Sequence, residues 1–329
     1  MAMDRLTRRS VLTLVGGTAA ALGIAACGGR GPSGAGPGAP GTDGFPVTVA
    51  HTLGETVIET RPARVVSLGY SDADAVLALG VQPVGVHTGY SFATGVGPWA
   101  VPKLATPRPV IWKGRTFNYE AIAGLRPDLI LDVTDSGDRT TYEILSKIAP
   151  TVALPVGAVP HGAPWQDTTR LIGRSLGLAA QGDELVTATL AYLARIAAEN
   201  PAFAGRTLTY LDIYPGGMAI GGEPANVVQT MRRLGFVQSP VLRGPEWGRS
   251  QNPISPELLS KADADVILIF GFGSDQQQVL AANPTLANLP AVKAGRVHVL
   301  PDLSLSSPSV LSIPYGVDPL VPVLRRMLG

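Results

Sequence analysis

Two patterns of apolar residues alternate along residues 45–329. Short β-branched runs read as strands. In the first half these are Arg64-Val65-Val66-Ser67-Leu68, Val84-Gly85-Val86, Asp128-Leu129-Ile130-Leu131-Asp132 and Thr151-Val152-Ala153-Leu154. In the second they are Thr207–Asp212, Asp265–Phe270 and Arg296–Leu300. Helical segments fall between them. Asp72 to Leu79 ends at Gly80, a second helix holds Ala121 to Leu125, and Val227 to Leu234 ends at Gly235. Strands alternating with helices predict parallel βαβ units. Ahead of them, Phe45–His51 and Thr56–Thr60 flank Thr52-Leu53-Gly54-Glu55 and predict a hairpin.

One segment is longer. From Gln181 to Glu199, Leu185, Val186, Leu190, Leu193 and Ile196 recur near helical spacing, and Asn200-Pro201 closes the run. Some nineteen helical residues span roughly 28 Å, enough to bridge two lobes. An internal echo supports two lobes. Glu120 to Asp128 leading into Leu-Ile-Leu parallels Glu257 to Asp265 leading into Val-Ile-Leu, each read as a helix feeding a strand. The predicted architecture is α/β, with lobes 45–180 and 201–329 joined by a connecting helix at 181–200.

The first 44 residues carry another pattern. Arg5, Arg8 and Arg9 precede a mostly apolar, uncharged run from Val11 to Ala26, which ends in Ile24-Ala25-Ala26-Cys27. Basic, apolar and small-residue regions in that order make an export signal over 1–26. Thr7-Arg8-Arg9-Ser10-Val11-Leu12 resembles a twin-arginine signal, with general secretory export as the alternative. Ile-Ala-Ala-Cys resembles a bacterial lipobox, which makes Cys27 the expected lipid anchor. The apolar run is short for a membrane-spanning helix. Residues 27–44, dense in Gly and Pro, read as a flexible tether. The expected location is the outer face of a bacterial cell membrane.

Composition removes several function classes. The formal net charge is +1, which argues against nucleic-acid binding. The single Cys leaves the body without disulfides or Cys-based metal sites. The four His (His51, His87, His161, His298) form no i, i+3 or i+4 pair, so direct chelation of a metal is not expected. Gly216-Gly217 and Gly221-Gly222 make neither a P-loop nor a dinucleotide fingerprint. Asp132, Asp135 and Asp138 read as a solvated turn. No catalytic constellation stands out, so a secreted enzyme is the remote alternative.

Arg61-Pro62-Ala63-Arg64-Val65-Val66-Ser67-Leu68, Ala78 to Val86, Asn118-Tyr119-Glu120 leading to Arg126-Pro127-Asp128, Ile254-Ser255-Pro256-Glu257 and Ala291 to Val297 together resemble the iron-siderophore and vitamin B12 family of periplasmic binding proteins. The resemblance covers about 45–329. It implies two α/β lobes joined by one helix, a ligand cleft between them, and delivery to the permease of an ABC importer. The implied ligand is a ferric siderophore, with haem or a cobalamin-like corrinoid as alternatives, no cofactor, and a monomeric receptor.

Ligands of open α/β sheets sit beyond the carboxyl ends of the strands. Loops there offer Tyr90, Trp112, Lys113 and Arg115 in the first lobe, and Tyr214, Trp247, Arg249 and Phe272 in the second. Arg forks suit anionic chelate oxygens and indoles suit the organic frame, so these are the expected ligand contacts. His87 and His161 are lesser candidates as haem or ligand contacts. The resemblance also implies a surface acid on each lobe for transporter docking, six residues before the helix-ending glycine. Those positions hold Asp74 and Gln229, and Glu223 is the nearby substitute in the second lobe.

Overall fold

The apolar runs form the centres of two sheets in the computed structural model, which describes residues 44–88, 92–114, 116–214 and 216–329. The first half contains β1 (Val47–His51), β2 (Gly54–Ile58), β3 (Val65–Ser67), α1 (Asp72–Ala78), β4 (Gly85–Thr88), β5 (Val110–Lys113), α2 (Tyr119–Gly124), β6 (Leu129–Leu131), α3 (Arg139–Leu145), β7 (Thr151–Val152) and α4 (Trp165–Ser175). After α5 (Ala179–Glu199) come β8 (Thr207–Tyr214), β9 (Gly217–Ile220), α6 (Asn226–Arg233), β10 (Val237–Gln238), β11 (Asn252–Pro253) and β12 (Val266–Phe270). Then follow α7 (Gln276–Ala282), α8 (Pro284–Ala287), α9 (Pro290–Lys293), β13 (Val297–Leu300) and α10 (Ser312–Leu328).

The first sheet has the order β5-β4-β3-β6-β7, with every neighbouring pair parallel. The second has the order β11-β9-β8-β12-β13. Its β8, β12 and β13 are parallel, β9 and β11 are antiparallel, and β10 pairs with β8. Alternate residues of each central strand enter different layers. Leu129 and Leu131 join Val65, Leu171 and Ile172 on one face, while Ile130 joins Val66, Ile122 and Leu145 on the other. In the second sheet Val266, Leu268 and Phe270 face one core, and Ile267 and Ile269 the other. Burial on both faces is why these strands read as unbroken apolar runs.

The internal echo has a structural meaning. Asp128 accepts the backbone N–H groups of Ala63 and Arg64 at 2.8 Å each, just ahead of β3. Asp265 accepts the Thr207 N–H at 2.8 Å at the start of β8. Each acid fixes the first strand of its lobe's parallel sheet beside the strand that follows the acid, and both pairs are parallel. The preceding segments differ. Asn118 caps α2 by accepting the Ala121 N–H, whereas Ser255 supplies no side-chain cap, and Pro256–Ala262 forms a 3₁₀ turn instead of the predicted α-helix.

The hairpin is tighter than predicted. Gly54 already pairs with His51, so only Thr52 and Leu53 make the turn. The Thr52 N–H donates to the Leu154 carbonyl, and Thr56 Oγ1 donates to the Thr151 carbonyl at 2.6 Å, which ties the hairpin to the β7 edge.

Helix α5 starts two residues before the predicted segment. Its Val186, Leu193 and Ile196 enter the second-lobe core. The helix also lies along α4, whose Leu171 and Ile172 belong to the first-lobe core. A glycine pair permits this approach. A Cβ at Gly173 would stand 3.1 Å from the Leu178 carbonyl oxygen and 3.2 Å from Gly182 Cα. Gly173→Val is therefore expected to cost about 1–3 kcal/mol of stability by overpacking. The check is the thermal unfolding midpoint; an unchanged midpoint would show that the two helices separate freely.

The lobes meet a second time. Leu311 packs on the cluster of Ala73, Leu77 and Ala100, and the Trp99 and Tyr315 rings lie 5.6 Å apart. Asp74 accepts from Trp99 Nε1 and from Ser309 Oγ, both at 2.6 Å.

Candidate functional site

A cleft of about 660 Å³ opens where the carboxyl ends of β3, β6, β8 and β12 converge. From the first lobe come Tyr70 and Ser71 after β3, Thr134 after β6, and His161 in the loop before α4. The second lobe supplies Tyr210 and Asp212 on β8, Asn226 at the start of α6, Ser250, Gln251, Phe270, Phe272 and Ser306. The walls are aromatic, hydroxyl and amide in character.

Backbone strain marks both walls. Among the described residues, Arg126, His161 and Phe272 are the non-glycine positions with positive φ, and His161 (54°) and Phe272 (49°) both line the cleft, from opposite lobes. Bulky residues resist the left-handed region and stay there only when their surroundings hold them. The Phe272 ring lies 4.6 Å from Phe270 and 6.3 Å from Tyr214. The His161 ring lies 5.6 Å from Tyr70, and its Nδ1 lies 3.8 Å from an Asp135 oxygen.

A buried acid network shapes the first wall. Asp72 accepts from the backbone N–H groups of Gly69 and Val133 and from Thr134 Oγ1. Thr134 Oγ1 in turn accepts the Ser71 N–H at 3.0 Å. These bonds join the loops after β3 and β6. Burial pushes the Asp72 carboxyl up to about 6 against the pull of its hydrogen bonds. Asp132 is also buried, with an Oδ1 that finds no partner, and burial drives it well above the usual carboxylate range. The expected solvated turn is thus only partly so. Asp138 does cap α3 by accepting the Thr141 N–H, but Asp132 points inward.

On the second wall Asp212 is buried and accepts from Tyr210 Oη at 2.5 Å and Gln251 Nε2 at 2.8 Å. Burial raises its pKa, and these two bonds pull it back.

Residues 65–303 match the model of the periplasmic binding protein family. The chain belongs to that family. It is 26% identical over 258 residues to the Fe(3+)-citrate-binding protein YfmC of Bacillus subtilis, covering 74% of this chain and 75% of that one. It is similar to a periplasmic solute binding protein of Mycobacterium smegmatis, with a TM-score of 0.75, 31% identity, and coverage of 86% and 99% of the two chains. The iron uptake ABC transporter substrate-binding protein PiaA of Streptococcus pneumoniae, in complex with ferrichrome, gives a TM-score of 0.72 at 28% identity, covering 85% and 98%. A periplasmic binding protein is a ligand carrier and not an enzyme.

Within this periplasmic binding protein the predicted contacts separate. Phe272 lines the cleft, and Tyr214 stands against it. Tyr90, Arg115 and Cys27 lie outside the described residues. Trp112 is not in the cleft. It belongs to a strand, not a loop; its ring covers Gly85, where a Cβ would meet it at 2.5 Å, and packs on the core with Ile122. Trp247 is also a core residue, packed with Leu242 and Leu259 under the Lys261 ammonium. Lys113 and Arg249 are exposed and stand outside the lining. The expected aromatic and cationic cleft is therefore aromatic and polar among the described residues. His87 is buried away from the larger cleft, between the carbonyls of Leu68 and Gly114.

Asp74 is not a surface acid. Every residue from Asp72 to Leu77 is buried, and the segment around Ser309 and Leu311 covers the face of α1 that carries Ala73, Asp74 and Leu77. Glu223 is exposed and lies 3.7 Å from Arg232, while Gln229 is exposed on the same lobe.

Among the cleft residues that the sequence did not single out are Tyr70, Ser71, Thr134, Tyr210, Asp212 and Gln251. Asp212 had a usable signal, an acid ending an otherwise apolar strand run.

Proposed function

We propose that this protein captures a ferric siderophore outside the cell membrane and delivers it to the permease of an ABC importer. It works as a monomer held to the membrane through lipidated Cys27. The observation that carries this reading is the interlobe cleft. Its volume lies within the usual range of small-molecule sites, and Tyr70, Tyr210, Phe270 and Phe272 offer ring faces for an organic frame around iron. Asn226, Gln251 and the serines offer neutral hydrogen-bonding groups for ligand oxygens. Similarity to YfmC and to ferrichrome-bound PiaA supports the same reading.

The siderophore brings its own iron ligands. Among the described residues no group of three or more His, Cys, Asp or Glu is arranged to hold a metal ion. No described helix is long and apolar enough to cross a membrane.

Calorimetric titration with ferric siderophores, their iron-free forms, haem and cobalamin tests the reading. Micromolar or tighter binding of a ferric siderophore, and weaker binding of the iron-free form, is the expected result. Haem is the second reading, favoured by the His161 ring in the cleft. Exclusive binding of haem or cobalamin would overturn the siderophore assignment.

Docking is proposed to use the second-lobe surface around Glu223. Glu223→Arg is expected to reduce ligand uptake into cells severalfold while leaving calorimetric affinity unchanged. Equal uptake by the variant would remove Glu223 from the docking surface.

A further inference from the structure

We propose that the cleft selects ferric complexes of zero or positive net charge, and that Asp212 is the residue that rejects polyanionic ones. The inference rests on the siderophore reading and deepens it. Ferric iron carries three positive charges. Three hydroxamates, each singly negative, make a neutral chelate, whereas three doubly deprotonated catecholates make a trianion. A cleft built for the trianion needs cations facing its oxygens, since like charges repel strongly where water is excluded.

Among the described residues, the carboxylate that lines the cleft is Asp212, and no Lys or Arg lines it. Asp212 is 4% exposed, and its carboxylate is held by neutral donors, the Tyr210 hydroxyl and the Gln251 amide. Among the described residues it forms no ion pair. Among the described residues, His161 is the one lining side chain that can become cationic, and Asp135 stands 3.8 Å from it. Two uncharged donors can orient a carboxylate but do not cancel its charge for a second anion. Amide and hydroxyl groups around it suit the neutral oxygens of a hydroxamate chelate.

The test is calorimetric titration of the full-length protein at pH 7.5 with three probes. These are ferrichrome, a neutral ferric trihydroxamate; ferrioxamine B, a ferric trihydroxamate bearing one free ammonium; and ferric enterobactin, a ferric tris-catecholate trianion. At least one trihydroxamate is expected to bind about tenfold or more tighter than the trianion. Asp212→Asn should narrow that gap about tenfold by strengthening trianion binding. Raising salt should move the wild type the same way, because screening weakens the repulsion. Should Asp212→Asn fail to fold, Ser250→Lys places a cation on the same wall at a half-buried position and should also favour the trianion. Tighter binding of the trianion by the wild type would overturn the proposal, as would a gap that neither variant changes. Binding of no ferric complex would overturn the siderophore reading itself, and the selection with it.

Discussion

Replacing Asp74 by Asn is expected to stabilise the protein at pH 7, although it alters a buried residue that bridges the lobes. Both the Trp99 and Ser309 donors bond Oδ2, so an Asn oriented with its carbonyl oxygen there keeps them. What it removes is a charge that burial disfavours. Desolvation is the main cause that pushes the Asp74 carboxyl up to about 6 from 3.8, with the Asp72 charge adding and the two hydrogen bonds opposing. In the unfolded chain the group titrates near 3.8. Between these values the native state holds a proton that the unfolded state has released. Stability from this group is therefore fully present below about pH 4, falls as pH rises toward 6, and stays low at 7. Two units correspond to about 3 kcal/mol, and the weaker bonds made by a neutral acceptor reduce the gain to about 1–3 kcal/mol. Other groups titrate in the same range. Asp72 shifts in the same direction, while buried His51 and half-buried His298 have lowered values and lose their contribution as pH falls below 6.5. The difference between wild type and Asp74→Asn isolates the one group. Denaturant unfolding should show almost no difference at pH 4 and a plateau above pH 6. Asp74→Ala should behave differently, since it leaves the Trp99 and Ser309 donors unpaired at the lobe contact. A pH-independent difference for Asn would place the buried charge elsewhere.

Much of the fold was legible because central strands covered on both faces carry runs such as Val266–Phe270 that need no periodicity analysis. Asp128 and Asp265 were legible as a repeat because each does the same work, fixing the amino end of the neighbouring strand. Edge elements were harder. Strand β5 is short and only partly buried, and α10 contains Pro319 and Pro322, which sequence rules read as breaks. Yet α10 buries Ile313, Val317, Leu320, Val321 and Leu324 in the second-lobe core, and that packing outweighs the lost backbone bonds.

The cleft opens beyond the strand ends, where the sequence suggested candidate contacts, and of those Phe272 lines it with Tyr214 packed beside Phe272. Choosing Trp112 and Trp247 for their neighbouring cations failed, because adjacency in sequence says nothing about which face a ring takes. Both indoles turn inward to fill core volume, while smaller groups such as Ser71, Thr134 and Asn226 reach the cleft. Asp74 shows the same limit. Its spacing to Gly80 matched a surface acid, but a segment more than two hundred residues later covers it.

Cys27→Ala should move the protein from the membrane fraction to the soluble fraction. The cause lies in the order Arg8-Arg9, apolar Val11 to Ala26, then Ile-Ala-Ala-Cys, with only Gly and Pro-rich chain before the first strand. A cysteine acylated with two or more chains holds a protein stably, because each buried methylene contributes about 0.8 kcal/mol and a single chain gives only reversible binding. Removing the thiol removes the acylation site and the whole of that attachment, so the shift should be near complete. The body should bind ligand as before, since the change lies ahead of the tether. Fractionation with metabolic fatty-acid labelling is the measurement, and calorimetry on the released protein checks its integrity. Retained label, or membrane association that survives both the substitution and a high-salt wash, would rule out the Cys27 anchor. Arg8→Lys with Arg9→Lys separates the export route from the anchor. It should reduce the amount outside the cytoplasm if the twin-arginine route carries the protein, and leave the membrane-bound share of whatever is exported unchanged.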